Sequence, residues 1–211
     1  MIEILVVDDH KIFRSGLRRL LSDEIDMRVV DEARNGAEML AKLRQPQHFD
    51  IVLLDVNMEG PSGLDMLEFV RADFPKLPVL ILSMYPEEQY AMTAIRAGAN
   101  GYVSKDIDAP ELVKAIRQVA KGGRYLTAAG AQNVLAHLGR GDNPKPHQKL
   151  TAREYQIMLM MVKGTSLTEI GEKLFISVKT VSTYRSRILS KLEIDNNAEL
   201  ILYAVRHGII V

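Results

Sequence analysis

Five short apolar runs, separated by stretches with helical spacing, set the tightest bound on what this chain can fold into. The runs are Ile2–Val7, Met27–Val30, Ile51–Leu54, Val79–Leu82 and Tyr102–Val103. The first, third and fourth are continuous Ile, Val and Leu, without the polar alternation of a strand that has one wet face. They therefore suit parallel strands covered on both sides by helices. Between the runs, Ile12, Leu17, Leu20 and Leu21, then Leu64, Leu67, Phe69 and Val70, recur at helical spacing. Asn35-Gly36, Pro75, Pro78, Gly98 and Asn100-Gly101 punctuate the joins. A helix over about Pro110–Ala120 follows the fifth run. A repeated strand-then-helix order predicts a right-handed, doubly wound α/β fold with a five-stranded parallel sheet.

After Gly122-Gly123 the rhythm stops. Residues 127–138 carry one more helical pattern, and Gly139 through Pro146 mix turn formers with charge and offer little to bury. The rest reads as four helices without a strand. Thr151 is placed to cap the first, with Glu154 three residues on completing a capping box, and that helix stops at Gly164. A second covers about Leu167–Leu174. A turn through Phe175-Ile176-Ser177, with Ser177 as N-cap, leads to Val178–Leu192, and a last helix covers about Ala198–His207. The expected organisation is a first domain over 1–124, a linker with a helix over 125–148 and an all-α, four-helix domain over 149–211. The 211 residues are enough for two domains, and at 47% hydrophobic composition each can bury a core.

Composition narrows the function classes. There is no cysteine, which excludes disulfides and thiolate zinc sites and fits a reducing cytoplasm. The acidic opening Met1–Asp8 lacks the apolar region of a signal peptide, and no apolar run approaches the ~20 residues of a membrane span. A soluble, cytoplasmic protein is expected. Charge balances overall at 27 basic and 27 acidic residues, but residues 149–211 hold nine Lys and Arg against six Asp and Glu, leaving 18 against 21 before them.

Asp8-Asp9 closes the first predicted strand, Asp55 the third, Ser83 the fourth and Lys105 the fifth. In a parallel sheet these ends share one edge, where doubly wound folds bind ligands at the reversal of strand order. Three carboxylates gathered there repel unless a cation joins them, and hard oxygen donors suit Mg²⁺. A lysine and a hydroxyl alongside can contact phosphoryl oxygens, so the set suggests an aspartate that accepts a phosphoryl group. Any one of these aspartates alone would more often be a helix cap; five such residues on four strand ends carry the argument.

Val6-Val7-Asp8-Asp9-His10, Leu53-Leu54-Asp55, Leu82-Ser83 and Gly101-Tyr102-Val103-Ser104-Lys105 resemble the receiver domain of two-component response regulators, over roughly residues 1–124, a flavodoxin-like fold. The resemblance implies that Asp55 takes phosphate from a phosphohistidine on a sensor histidine kinase. It implies Asp9 and Asp55 as direct Mg²⁺ ligands with the main-chain carbonyl of Asn57, Asp8 acting through water, and Lys105 on the phosphoryl group. Ser83 would swing toward that group and Tyr102 would turn inward, changing the face built from the fourth and fifth helices. Two departures stand out. Where many receivers have Met-Pro after the phosphoacceptor, this chain has Met58-Glu59 with proline delayed to Pro61. Asp106 replaces the proline that often follows the lysine, so a trans bond is expected there. Met84, beside Ser83, is bulkier than is common; it either slows access to the phosphate or is a partly covered loop residue.

Residues 178–192 contain Lys179, Arg185, Arg187 and Lys191 and no acidic residue. Val181, Ile188 and Leu192 recur on a core face, leaving Lys179, Ser182, Thr183 and Ser186 on other faces, where short polar side chains can approach base edges. Arg185, Arg187 and Lys191 suit phosphates. A basic helix standing alone is usually a solvated face. Its setting is more specific: Leu150-Thr151-Ala152-Arg153-Glu154, Gly164, Glu169-Ile170, Leu174, Ile176-Ser177, Lys179-Thr180-Val181 and Lys191-Leu192 resemble the LuxR/NarL-type helix-turn-helix over about residues 149–211. The resemblance implies promoter double-stranded DNA as partner, with Thr180 among the contacting residues and Tyr184 replacing the usual His. It also implies a homodimer through the last helix, where Leu200, Ile201, Tyr203, Ala204 and Val205 serve either that role or the core. Such a regulator assists its own phosphorylation and dephosphorylation and is otherwise not an enzyme. The competing readings are a hydrolase using Asp55 as nucleophile toward external phosphate esters, and a DNA binder whose acidic pocket is vestigial.

Overall fold

A computed structural model describes residues 1–58, 61–85, 87–128, 130–132 and 146–210. The chain divides into two compact units, Met1–Gly141 and Asp142–Val211. The first contains β1 (Ile2–Val7), α1 (Lys11–Ser22), β2 (Met27–Ala33), α2 (Gly36–Leu43), β3 (Ile51–Asp55), α3 (Gly63–Asp73), β4 (Val79–Ser83), α4 (Glu87–Arg96), β5 (Gly101–Ser104) and α5 (Ala109–Ala120). The sheet runs β2-β1-β3-β4-β5 with every neighbouring pair parallel. Strand order therefore reverses between β1 and β3, the crevice where this topology binds ligands.

The continuously apolar runs became the central strands because both sheet faces are covered. Ile4, Val6, Ile51, Leu53, Leu80 and Leu82 form one face and pack with Leu17 and Leu21 of α1 and Leu112 and Ile116 of α5. The alternate residues Leu5, Val52, Leu54 and Ile81 point the other way and are equally buried. Each such side chain contributes about 1.5–3 kcal/mol relative to exposure. Asn35 caps α2 through Glu38 N at 2.9 Å, and Ser62 with Asp65 forms a capping box on α3.

β2 runs three residues past the Val30 that ended its apolar run. Asp31 and Glu32 pair through their backbones with Leu5 and Val6 after a register shift. Their side chains find cations instead of core: Lys42 Nζ lies 2.6 Å from Asp31, and Arg14 Nε donates to Glu32 at 3.0 Å. An edge strand needs only its backbone for the ladder, so charge does not end it.

Beyond α5 the chain returns to the sheet. Tyr125 N donates to Asn100 O at 3.0 Å, Tyr102 N donates to Tyr125 O at 3.3 Å, and Tyr125 forms a parallel bridge with Gly101. Residues 128 and 130–132 are helical. The remainder of the helix expected over 127–138, and linker residues 139–145, lie outside the described residues.

The second unit opens with a 3-10 turn at Pro146–Lys149, followed by α6 (Ala152–Val162), α7 (Leu167–Lys173), α8 (Val178–Leu192) and α9 (Asn197–Arg206). Thr151–Glu154 and Ser166–Glu169 form capping boxes on α6 and α7, and Ser177 caps α8. Ile157, Met158, Ile170, Val181, Ile188, Leu200 and Ala204 are fully buried and make the core that fixes α8 against α6 and α7.

Candidate functional site

Asp8 leaves β1, Asp55 ends β3, Ser83 ends β4 and Lys105 follows β5, and the parallel sheet gathers them on one edge. Lys105 Nζ lies 2.7 Å from Asp8 Oδ2 and 2.7 Å from Asp55 Oδ2, with its side chain 5% exposed and both carboxylates 1%. The ammonium also sits 4.5 Å from the centre of the Phe13 ring. Residues almost a hundred positions apart in the chain therefore share one charged centre.

The centre remains negative. Burial pushes the Asp55 carboxyl up to about 6 against the pull of Lys105, and the charge of Asp8 adds to the rise. Ligand atoms of Asp8, Asp9, His10 and Asp55 lie within 4.8 Å of one another. Asp8 Oδ2 and Asp9 Oδ1 are buried without an aligned hydrogen bond, although each has an ion-pair neighbour, Lys105 and His10. Hard oxygen donors with excess negative charge fit a divalent cation such as Mg²⁺.

His10 was missed as a member of the cluster by sequence reasoning. It stood in the quoted motif, but nothing in the sequence shows that Nδ1 folds back to 2.7 Å from Asp9. Arg14 was missed as well; its Nη1 donates to Asp8 O at 2.6 Å and braces the turn after β1.

Asn57 N donates to Asp55 Oδ1 at 3.1 Å, placing that residue beside the acceptor. The loop at Glu59-Gly60 lies outside the described residues. Its far end is tight: Gly63 N donates to Val56 O at 3.0 Å, and a Cβ on Gly63 would overlap the Asp55 carbonyl oxygen. Gly63→Ala is expected to cost about 1–3 kcal/mol through overpacking and to slow labelling of Asp55. Thermal unfolding and a labelling time course check it; an unchanged rate would place no demand on this approach.

Ser83 is fully buried, and its Oγ accepts from Tyr85 N at 3.1 Å. Tyr102 is turned inward, its hydroxyl donating to Tyr85 O at 3.0 Å, and burial pushes its phenol above the usual range. Met84, in the turn after β4, is 70% exposed, with less cover than the loop-residue reading expected. No cis peptide bond occurs among the described residues, so Lys105-Asp106 is trans, as expected.

On α8, Lys179, Ser182, Thr183, Ser186 and Arg187 are exposed, opposite buried Val181, Ile188 and Leu192. The Thr183 and Ser186 hydroxyls donate to the Lys179 and Ser182 carbonyls one turn earlier, at 3.0 and 3.1 Å, and the other three predicted contacts have side-chain partners inside the unit. Thr180 Oγ1 meets the capping Ser177 Oγ at 2.8 Å, Arg185 Nε donates to Asn197 Oδ1 at 2.8 Å, and Lys191 Nζ donates to buried Glu154 at 2.7 Å. Phe175, in the turn before α8, has φ +53 and is 69% exposed, a feature that periodicity does not reveal. On α9, Leu200 and Ala204 belong to the core while Ile201, Leu202 and Val205 are exposed. Tyr203 Oη lies 2.9 Å from His147 Nδ1.

A lysine-bridged aspartate pocket on a 2-1-3-4-5 sheet, followed by a helix-turn-helix unit, defines a receiver joined to a DNA-binding output domain. Residues 4–117 match the family described as response regulator receiver domain, and residues 148–204 match bacterial regulatory proteins of the luxR family. The chain belongs to the response regulators of the LuxR type.

Relatives along the whole length agree. The response regulator GacA of Pseudomonas protegens is 39% identical over 100% of this chain and 98% of its own length. UvrY of Escherichia coli is 38% identical over 99% and 96%. Among solved structures, the response regulator ChrA of a heme-sensing two-component system is 32% identical with a TM-score of 0.53, covering 99% of this chain and 98% of that one. RcsB of Salmonella enterica serovar Typhimurium, solved bound to promoter DNA with phosphomimetic BeF3⁻, shares the fold at 23% identity and a TM-score of 0.63, covering 96% and 98%.

Proposed function

We propose that this response regulator accepts a phosphoryl group on Asp55 from the phosphohistidine of a sensor histidine kinase and thereby controls binding of promoter DNA by α8. The observation that carries the reading is Lys105 Nζ at 2.7 Å from both Asp8 and Asp55. An Asp55 carboxylate oxygen forms the bond to phosphorus as the phosphorus–nitrogen bond breaks, and the leaving imidazole takes up a proton. Asp8, Asp9, Asp55 and the Asn57 carbonyl would hold Mg²⁺, which supplies positive charge toward the phosphoryl oxygens. Lys105, already on Asp55, supplies a second positive charge without reorganising. Ser83 and Tyr102 report the new group to α4 and β5, which pack together.

In the output unit, Lys179 and Arg187 contact phosphates and Ser182, Thr183 and Ser186 face base edges. Ile201, Leu202 and Val205 of α9 offer an apolar face for a homodimer. Two half-sites read together gain affinity through effective concentration. Among the described residues no helix is long and apolar enough to cross a membrane, and a cytoplasmic site of action fits a chain without cysteine. The pocket serves the protein's own phosphorylation and dephosphorylation, not turnover of an external ester.

The test is genome-wide footprinting with the cognate kinase active and inactive. Occupancy of paired promoter half-sites should rise with kinase activity and stay flat in an Asp55→Asn strain. Equal occupancy in all cases would leave the pocket vestigial.

A further inference from the structure

Glu87, the first residue of α4, is a buried carboxylate that neither phosphoryl transfer nor DNA reading uses. It is 6% exposed, and a carboxylate so buried is costly unless it is well hydrogen-bonded. Two of its bonds come from the chain beyond α5. Thr127 N donates to Oε1 at 2.9 Å, and the Thr127 hydroxyl donates to Oε2 at 2.5 Å.

Thr127 is itself the cap of the helical start of the connector. Gly130 N donates to its Oγ1 at 3.2 Å and Ala131 N to its carbonyl at 2.8 Å. Glu87 is pressed against this turn so closely that a Cβ on Gly130 would overlap Oε1. Two residues earlier, Tyr125 is stitched to the edge of β5, and its hydroxyl donates to Glu111 at 2.7 Å. The connector thus has two anchors, one on the sheet and one on α4.

The second anchor is four residues from the phosphoryl-facing hydroxyl. Between Ser83 and Glu87, Tyr85 uses its N–H on Ser83 Oγ and its carbonyl on the Tyr102 hydroxyl. A displacement of Ser83 or Tyr102 on phosphorylation of Asp55 therefore bears directly on Tyr85, two residues before Glu87. Past Thr127 the chain leads to the DNA-binding unit.

We propose that Glu87 is a positioning residue that ties the β4–α4 loop to the connector at Thr127, and that this tie carries the state of Asp55 to DNA binding. The inference rests on the reading under Proposed function and names the residues through which its two halves communicate. A coupling between sites is a difference in free energy between two states, and a buried hydrogen-bonded clamp that the two states hold differently supplies one.

The experiment compares full-length wild type with Glu87→Gln, Thr127→Val, Gly130→Ala and the conservative Thr127→Ser. Radiolabelled acetyl phosphate with magnesium reads the labelling of Asp55. Promoter affinity is then measured with and without acetyl phosphate, and thermal unfolding is followed in parallel. In Glu87→Gln, Thr127→Val and Gly130→Ala, labelling should persist, and the ratio of phosphorylated to unphosphorylated affinity should fall by about fivefold or more. Thr127→Ser keeps the hydroxyl and should keep the ratio. Gly130→Ala pushes the Glu87 carboxyl away from Thr127 while keeping both hydrogen-bonding residues, so it tests the tie by a separate route. A lowered unfolding temperature with the wild-type ratio in all three would make the clamp merely structural and overturn the proposal. Wild type binding equally with and without phosphate would instead overturn the regulatory reading itself, and the inference with it.

Discussion

Asp55→Asn will lose labelling by acetyl phosphate and magnesium to background, while the protein itself becomes more stable at pH 7.5 without magnesium. The first effect follows because the amide offers no anionic oxygen to form the acyl phosphate. The second follows from the sign of the titration. Asp55 is raised from 3.8 to about 6 in the folded protein. A raised carboxyl contributes stability that is complete below 3.8 and is lost as pH rises through about 6. The ionised carboxylate thus costs up to about 3 kcal/mol at pH 7.5, at 1.36 kcal/mol per unit.

A neutral isostere removes that cost and still accepts from Lys105. The gain should fall to about half at pH 5, where Asp55 is mostly protonated when folded. Magnesium should reduce it too, by stabilising wild type selectively. Thermal unfolding across pH, with and without magnesium, measures all three. A variant less stable than wild type at pH 7.5 would show that Lys105 outweighs burial, and that the pocket is not poised for a cation.

Lys179→Ala combined with Arg187→Ala will weaken promoter binding by about 10- to 100-fold at physiological salt and reduce the salt slope by about 2. Both residues are exposed on α8, opposite its buried seam. Arg185→Ala and Lys191→Ala should behave differently, because their side chains hold Asn197 and Glu154. Lys191 is partly exposed, and its loss should cost about 1 kcal/mol or less of stability, with a smaller change in salt slope. Titrations at several salt concentrations separate the two pairs. An equal slope change for all four residues would mean that Arg185 and Lys191 leave their internal partners when DNA arrives.

The sheet was legible because both its faces are buried: continuous runs such as Ile51–Leu54 have no competing solvent pattern. β2 was legible only to Val30, since periodicity reads side chains and the edge ladder at Asp31 and Glu32 is a backbone matter. The three N-caps of α6, α7 and α8 rest on local chemistry, and two of them, Thr151 and Ser177, were read directly from residue type and spacing. The turn through Phe175 was read, but not its positive φ, because phenylalanine gives no residue-type signal for a backbone that glycine or asparagine usually adopts.

What the amino-acid order determined alone was everything carried by local pattern: which runs are strands, where helices start, and which strand ends carry carboxylates, a hydroxyl and a lysine. Only the tertiary structure decided which of those groups meet, because charge interactions depend on distances between residues up to almost a hundred positions apart. It set Lys105 between Asp8 and Asp55, folded His10 onto the acidic cluster, withdrew Arg185 and Lys191 into their own unit, and joined Glu87 to Thr127. Periodicity has no access to such pairings, since neither the residue type nor the spacing of one partner names the other.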